Sequence, residues 1–132
     1  MRRALRDLIR QRASGRCEYC RLPEEFSELH FHLEHITPRQ HGGGDGAGNR
    51  ALACPECNLR KGPNLTAIDS VSRRIVRLFQ PRRDKWDRHF GYAGARVVGK
   101  TAMGRATISL LGMNAPERLR VRELLLELGI LD

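Results

Sequence analysis

Two pairs of cysteines constrain the fold of this chain more than any other feature. Two residues lie between Cys17 and Cys20 and two between Cys54 and Cys57, and 33 residues (21–53) separate the pairs. Each spacing is that of a structural zinc knuckle, and two knuckles complete a tetrahedral shell of four thiolates. The chain contains four cysteines in all, so we predict one structural Zn²⁺ bound by all four. A shell closed by protein ligands has no position for a substrate.

Chain length and cysteine chemistry agree with a zinc-stapled domain. A chain of 132 residues, 40% of them hydrophobic, builds only a modest core and gains stability from a metal. In a reducing compartment, two close cysteine pairs indicate a metal site and not disulfides. No apolar run approaches the roughly 18 residues of a membrane span, and the charged residues 1–12 lack a signal-peptide core. We therefore expect a cytoplasmic protein without a membrane partner.

The charge balance favours a nucleic-acid partner. The net charge is +9, and arginine contributes 21 of the 24 basic residues. Arginine binds phosphate through two parallel hydrogen bonds, which suits a phosphate backbone. A GC-rich genome would also raise the ratio of arginine to lysine, although it explains the net excess of positive charge less well.

Hydrophobic periodicity predicts a mixed α+β chain with a core domain at residues 1–66. In the strand predicted at 29–36, Leu29, Phe31 and Leu33 alternate with polar residues, which indicates a half-buried strand. The other elements predicted in this domain are a helix at 2–13, a glycine-rich loop at 41–48, a strand at 50–54 and a short helix at 58–61.

Residues 67–132 differ in character, and we expect an α+β extension packed on or beside the core as one compact unit. Its predicted elements are a strand at 75–79, a hairpin of 89–92 with 96–99, and helices at 101–111 and 116–128.

The residues between and after the cysteine pairs carry a recognisable pattern. Glu34-His35-Ile36-Thr37-Pro38 is followed by a Gly-Gly run, by Asn49-Arg50-Ala51-Leu52 and, directly after Cys57, by Asn58-Leu59-Arg60-Lys61-Gly62. With these motifs, residues 17–62 resemble the HNH endonuclease family in its branch with a four-cysteine zinc site. The resemblance implies a ββα-metal finger that hydrolyses phosphodiester bonds in DNA, leaving 5′-phosphate and 3′-hydroxyl ends.

The resemblance also implies a role for each motif residue. His35 matches the general base, and Glu34 matches the acidic metal ligand, where the family usually has aspartate. Asn58 matches the third motif position, often histidine, which binds the catalytic ion. Asn49 matches the middle asparagine, which braces the loop and holds the histidine. Histidine is suited to activate water at neutral pH, and a carboxylate with an amide oxygen suits Mg²⁺ or Mn²⁺.

Glu34 and His35 present a geometric problem, because neighbours on a flat strand point to opposite faces. They converge on one phosphate only if the strand twists or ends there, and Thr37-Pro38 favours an ending.

Several basic residues surround these motifs. The candidates for nucleic-acid contact are Arg39, His41, Arg50, Arg60 and Lys61, and the alternative for each is an ordinary solvated charge. His30 and His32 could extend a metal site, with solvated strand residues as the alternative.

A non-catalytic, zinc-stabilised nucleic-acid-binding module is the alternative function. It would need the zinc site and the basic charge, but not Glu34, His35 and Asn58 together. A protein-interaction module with a degraded HNH core is disfavoured by the intact motif. A homodimer would provide the second centre that a double-strand cut requires.

Overall fold

A computed structural model describes residues 2–131 of the protein; Met1 and Asp132, the outer ends of the two predicted domains, lie outside the described residues. The described chain forms five α-helices, three short 3-10 helices and six strands, with the strands in three antiparallel pairs. This confirms the predicted α+β class. The chain divides into two compact units: residues 2–65 with Gln80–Asp84, and Thr66–Phe79 with residues 85–131.

The first unit contains the predicted strand–strand–helix core. Its elements are α1 (Arg3–Arg12), β1 (His32–His35), β2 (Arg50–Ala53) and α2 (Pro55–Lys61). β1 and β2 are antiparallel, with His35 opposite Arg50. β2 runs directly into α2 because Cys54 caps the helix and Pro55 occupies its first turn, where a missing N–H costs no hydrogen bond.

The strand predicted at residues 29–36 is longer than the observed strand β1, and a different side chain is buried. β1 is four residues long, and its buried residue is Glu34, which is 8% exposed. Leu29, predicted to face the core, is 64% exposed. Phe31 is buried as predicted, but it precedes the strand. Hydropathy places a glutamate outside, whereas Glu34 has polar partners in the interior that offset the cost of its burial.

The second unit consists of two hairpins and three helices. Its elements are β3 (Thr66–Ile68), β4 (Ile75–Arg77), α3 (Trp86–His89), β5 (Phe90–Ala93), β6 (Arg96–Gly99), α4 (Ala102–Leu111) and α5 (Pro116–Glu127). The β5–β6 hairpin and the helices α4 and α5 were predicted, whereas β3 and α3 were not. Phe79, Trp86 and Phe90 pack together in its core. None of the helices in residues 2–131 has the length and apolarity needed to cross a membrane.

Candidate metal centre and active-site groove

The four cysteines form one buried cluster in the first unit. Their Sγ atoms all lie within 4.8 Å of one another, and Cys20 Sγ is 3.7 Å from Cys54 Sγ. A tetrahedral Zn²⁺ with bonds of about 2.3 Å sets its sulfur atoms about 3.8 Å apart. In each knuckle, the backbone N–H of the second cysteine donates to the first Sγ at 3.4 Å. The side chains therefore fit one structural zinc ion.

Backbone and side-chain hydrogen bonds join the first knuckle to β2. Glu18 N–H donates to the Leu52 carbonyl at 2.8 Å, and Leu52 N–H donates to Glu18 Oε2 at 2.9 Å. The guanidinium of Arg82 donates to the other Glu18 oxygen. The zinc cluster thus connects the chain after α1 to the β2–α2 junction, and it fixes the two ends of the intervening segment.

An open groove with a volume of about 650 Å³ lies beside β1 and α2. Its lining brings together three of the predicted catalytic residues and two of the predicted phosphate contacts. These are Glu34, His35, Asn58, Arg39 and Arg50.

Glu34 belongs to a buried polar network. Tyr19 Oη donates to Glu34 Oε1, and Lys61 Nζ lies 3.6 Å from Oε2. Burial raises the pKa of Glu34 to about 7, against the opposing effects of Lys61 and Tyr19. The sequence analysis did not predict a role for Tyr19, because nothing in the sequence around the first cysteine pair indicates a contact with Glu34.

Lys61 requires a correction to the predicted nucleic-acid contacts. It is 2% exposed, and its ammonium donates to the Ile36 carbonyl at 2.9 Å. Since its charge is committed to Glu34 and to a backbone carbonyl, Lys61 is an interior structural residue and not a surface phosphate contact.

Lys61→Met is expected to destabilise the first unit by roughly 3 kcal/mol at pH 8, because it leaves the buried Glu34 carboxylate without its cation. The pKa of Glu34 is about 7 in the folded protein, against an ordinary 4.5. Glu34 therefore takes up a proton near pH 7 in the folded protein, but only near pH 4.5 in the unfolded chain. The free energy of unfolding accordingly decreases as the pH rises from 4.5 to 7. Protonated Glu34 needs no cation, so the loss should be smaller at pH 6.

Urea denaturation of the zinc-loaded protein at pH 6 and pH 8, without Mg²⁺ or Mn²⁺, measures this difference. Arg60→Met is the matched control, because the exposed Arg60 pairs with Glu56 on the surface of α2 and with no other side chain in residues 2–131. An equal loss of stability at both pH values would contradict the interpretation.

His35, the last residue of β1, has different partners from those of Glu34. Its Nε2 lies 2.7 Å from Oδ1 of Asp45, and Arg39 donates to the same oxygen through Nε and Nη2 at 3.1 and 2.9 Å. His35 and then Arg39 hold the pKa of Asp45 below its usual range. β1 ends at His35, and both Glu34 and His35 line the groove. Asp45 was also missed from the sequence; its only signal there was a carboxylate within a glycine-rich loop.

Asn49 joins the two ends of the glycine-rich loop. Its Oδ1 accepts from Thr37 N–H at 2.9 Å, and its Nδ2 donates to the carbonyls of Thr37 at 2.9 Å and Gly44 at 2.7 Å. A Cβ at Gly43 would lie 1.7 Å from the Thr37 carbonyl oxygen, so only glycine allows this close approach. These three hydrogen bonds hold the glycine-rich loop against the backbone of Thr37.

The remaining candidates differ in their access to the groove. Asn58 is half-buried in the lining, and Arg50 donates to the Leu33 carbonyl at 2.9 Å. His32 is exposed at the groove. His30, His41 and Arg60 are exposed and do not line it.

The strand–strand–helix core, its four-cysteine cluster and the adjoining groove together define a zinc-stapled ββα-metal domain. Residues 17–64 match the family model described as HNH endonuclease, so this segment is an HNH endonuclease domain. The match contains all four cysteines, Glu34, His35, Asn49 and Asn58, while the second unit lies outside it. No curated protein and no solved structure gave a significant match to the chain.

Proposed function

We propose that the protein is a metal-dependent endonuclease that hydrolyses phosphodiester bonds in DNA. The observation that carries this proposal is the groove, which collects His35, Glu34 and Asn58 beside Arg39 and Arg50. An imidazole can serve as general base, a carboxylate and an amide can hold a divalent ion, and two guanidinium groups can bind phosphate, which together suit hydrolysis of a phosphodiester. The HNH domain supports the nuclease class.

Each side chain has a defined task in the proposed reaction. His35 accepts the proton of the attacking water, and Arg39 and Arg50 bind the phosphate oxygens. Glu34 and Asn58 would hold Mg²⁺ or Mn²⁺, since carboxylate and amide oxygens are the ligands these ions prefer. When bound, the ion stabilises negative charge on the phosphate and on the leaving oxygen.

One observation favours the alternative of a non-catalytic nucleic-acid-binding module. The ammonium of Lys61 lies 3.6 Å from Glu34 Oε2, so a divalent ion at this carboxylate would experience repulsion from a buried positive charge. A module that only binds DNA would retain the zinc site and the arginines without needing Glu34 as a ligand.

Zinc-loaded protein incubated with supercoiled plasmid distinguishes the two functions. We expect nicked circles with added Mg²⁺ or Mn²⁺ and none without, because one centre cuts one strand. The nicks should be sealed by a ligase, which requires a 5′-phosphate beside a 3′-hydroxyl. Omission of the added ion is the appropriate control, because a strong chelator would also remove zinc. DNA binding without nicking in either ion would support the binding module.

Two extensions of this assay address the substrate and the oligomeric state. Replacing the plasmid by a labelled RNA duplex tests whether RNA is also cleaved. With the plasmid, linear product formed without accumulation of nicked circles would indicate two coupled centres, as in a homodimer.

A further inference from the structure

Asp45 lies in the glycine-rich loop, and its carboxylate contacts the imidazole of His35. The distance from Oδ1 to Nε2 is 2.7 Å. Arg39 donates twice to the same oxygen, and Arg50 Nη2 is 3.6 Å away. His35, Arg39 and Arg50 therefore all face the same carboxylate oxygen of Asp45.

The charge of Asp45 determines which ring nitrogen of His35 carries the proton. Its neighbours His35 and Arg39 hold its pKa below the usual range, so the side chain is a carboxylate at neutral pH and can only accept hydrogen bonds. Nε2 must then carry the proton that is donated to Oδ1. In a neutral imidazole this leaves the lone pair on Nδ1, which has no hydrogen-bond partner within residues 2–131.

The backbone on both sides of Asp45 is held in place. Asn49 Nδ2 donates to the Gly44 carbonyl at 2.7 Å, and Arg50 Nε donates to the Asp45 carbonyl at 3.4 Å. Asn49 also makes two hydrogen bonds to Thr37, two residues beyond His35. A continuous series of contacts thus runs from Asn49 through the Gly44–Asp45 backbone to the His35 ring.

We infer that Asp45 is a positioning residue that fixes the ring orientation and tautomer of His35, and that Asn49 acts on His35 through Asp45. The consequence for catalysis rests on the proposed function, in which His35 is the base. Nδ1 is then the atom that accepts the proton from water.

A different role for Asp45 is compatible with the same contacts and predicts the opposite result. Because Arg39, Arg50 and His35 all face Oδ1, Asp45 could occupy the position of a DNA phosphate and compete with it. Removal of the carboxylate would then tighten DNA binding and leave kcat unchanged.

Asp45→Ala separates these roles. We expect kcat for plasmid nicking to fall by at least about 10-fold, the smaller end of the loss found when the carboxylate partner of a metal-bound or catalytic histidine is removed, with KM changed less than about two-fold. Asp45→Asn keeps an acceptor oxygen beside Arg39 and should recover part of the rate. Glu56→Ala is the matched control, since it removes one exposed carboxylate of the same unit that does not contact His35.

A spectroscopic measurement tests the contact without relying on activity. In ¹⁵N-resolved NMR spectra of the zinc-loaded protein, the ring N–H of His35 should be observable and protected from exchange in the wild type and in Glu56→Ala. It should disappear in Asp45→Ala, while zinc content and the melting temperature confirm that this variant is folded. If Asp45→Ala is not folded, Asp45→Asn provides the same comparison through a weakened signal.

The nicking assay and the NMR comparison test different claims, so they can fail independently. A ring N–H that is unprotected in the wild type, or unchanged in Asp45→Ala, overturns the inference, as does an unchanged kcat with tighter DNA binding. If the wild type does not nick DNA at all, the proposed function fails, and the NMR comparison still decides whether Asp45 holds the imidazole.

Discussion

Serine at both Cys54 and Cys57 is expected to abolish zinc binding and to unfold the first unit. Binding of structural zinc to four such ligands is worth roughly 10–16 kcal/mol, which equals or exceeds the roughly 5–15 kcal/mol total stability of an ordinary domain. The cluster joins the first knuckle to the β2–α2 junction, and the β1–β2 hairpin with α1 and α2 offers too small a core to replace it. Circular dichroism and zinc content of the purified variant measure the effect.

Ala53→Ser provides the matched control. Ala53 is fully buried beside Cys54, so this variant also introduces a buried hydroxyl but keeps all four thiolates. We expect a loss of only about 1–3 kcal/mol, with zinc retained at one ion per chain. Chelation of the wild type should reproduce the double serine variant, and a first unit that stays folded without zinc would contradict the structural role.

His35→Ala is expected to abolish nicking while leaving zinc content, folding and DNA affinity close to those of the wild type. A positioned general base contributes roughly 10²–10⁴-fold to a rate, and a half-buried ring at the groove contributes little to stability. Initial rates of plasmid nicking in Mg²⁺ or Mn²⁺, with fluorescence anisotropy of labelled DNA, separate catalysis from binding.

His30→Ala is the control for His35→Ala, because it removes an exposed imidazole that does not line the groove. It should nick at the wild-type rate. Equal cleavage by purified His35→Ala would show that the activity comes from another residue or from a contaminating nuclease, and would refute the assigned base.

The sequence was sufficient for features that depend on residues close together in the chain. Two residues between the cysteines of each pair allow both sulfur atoms to bind one metal ion, and this spacing predicted the four-cysteine cluster that the structure contains. The apolar residues at 50–54 predicted β2 to within one residue. The helix predicted at 58–61 was found, although α2 starts three residues earlier, at Pro55. Local spacing and hydrophobic patterns act over a few residues, so they can be recognised without knowing the fold.

The environment of the candidate site was decided by tertiary contacts. Glu34 is buried because Tyr19 and Lys61 reach it from other parts of the chain, and hydropathy alone had placed it on the polar face. Asp45 meets His35 because Asn49 and Gly43 draw the glycine-rich loop back against Thr37. The cost of burying a charge depends on partners that are distant in sequence, and for this reason only the folded chain shows which polar residues point inward.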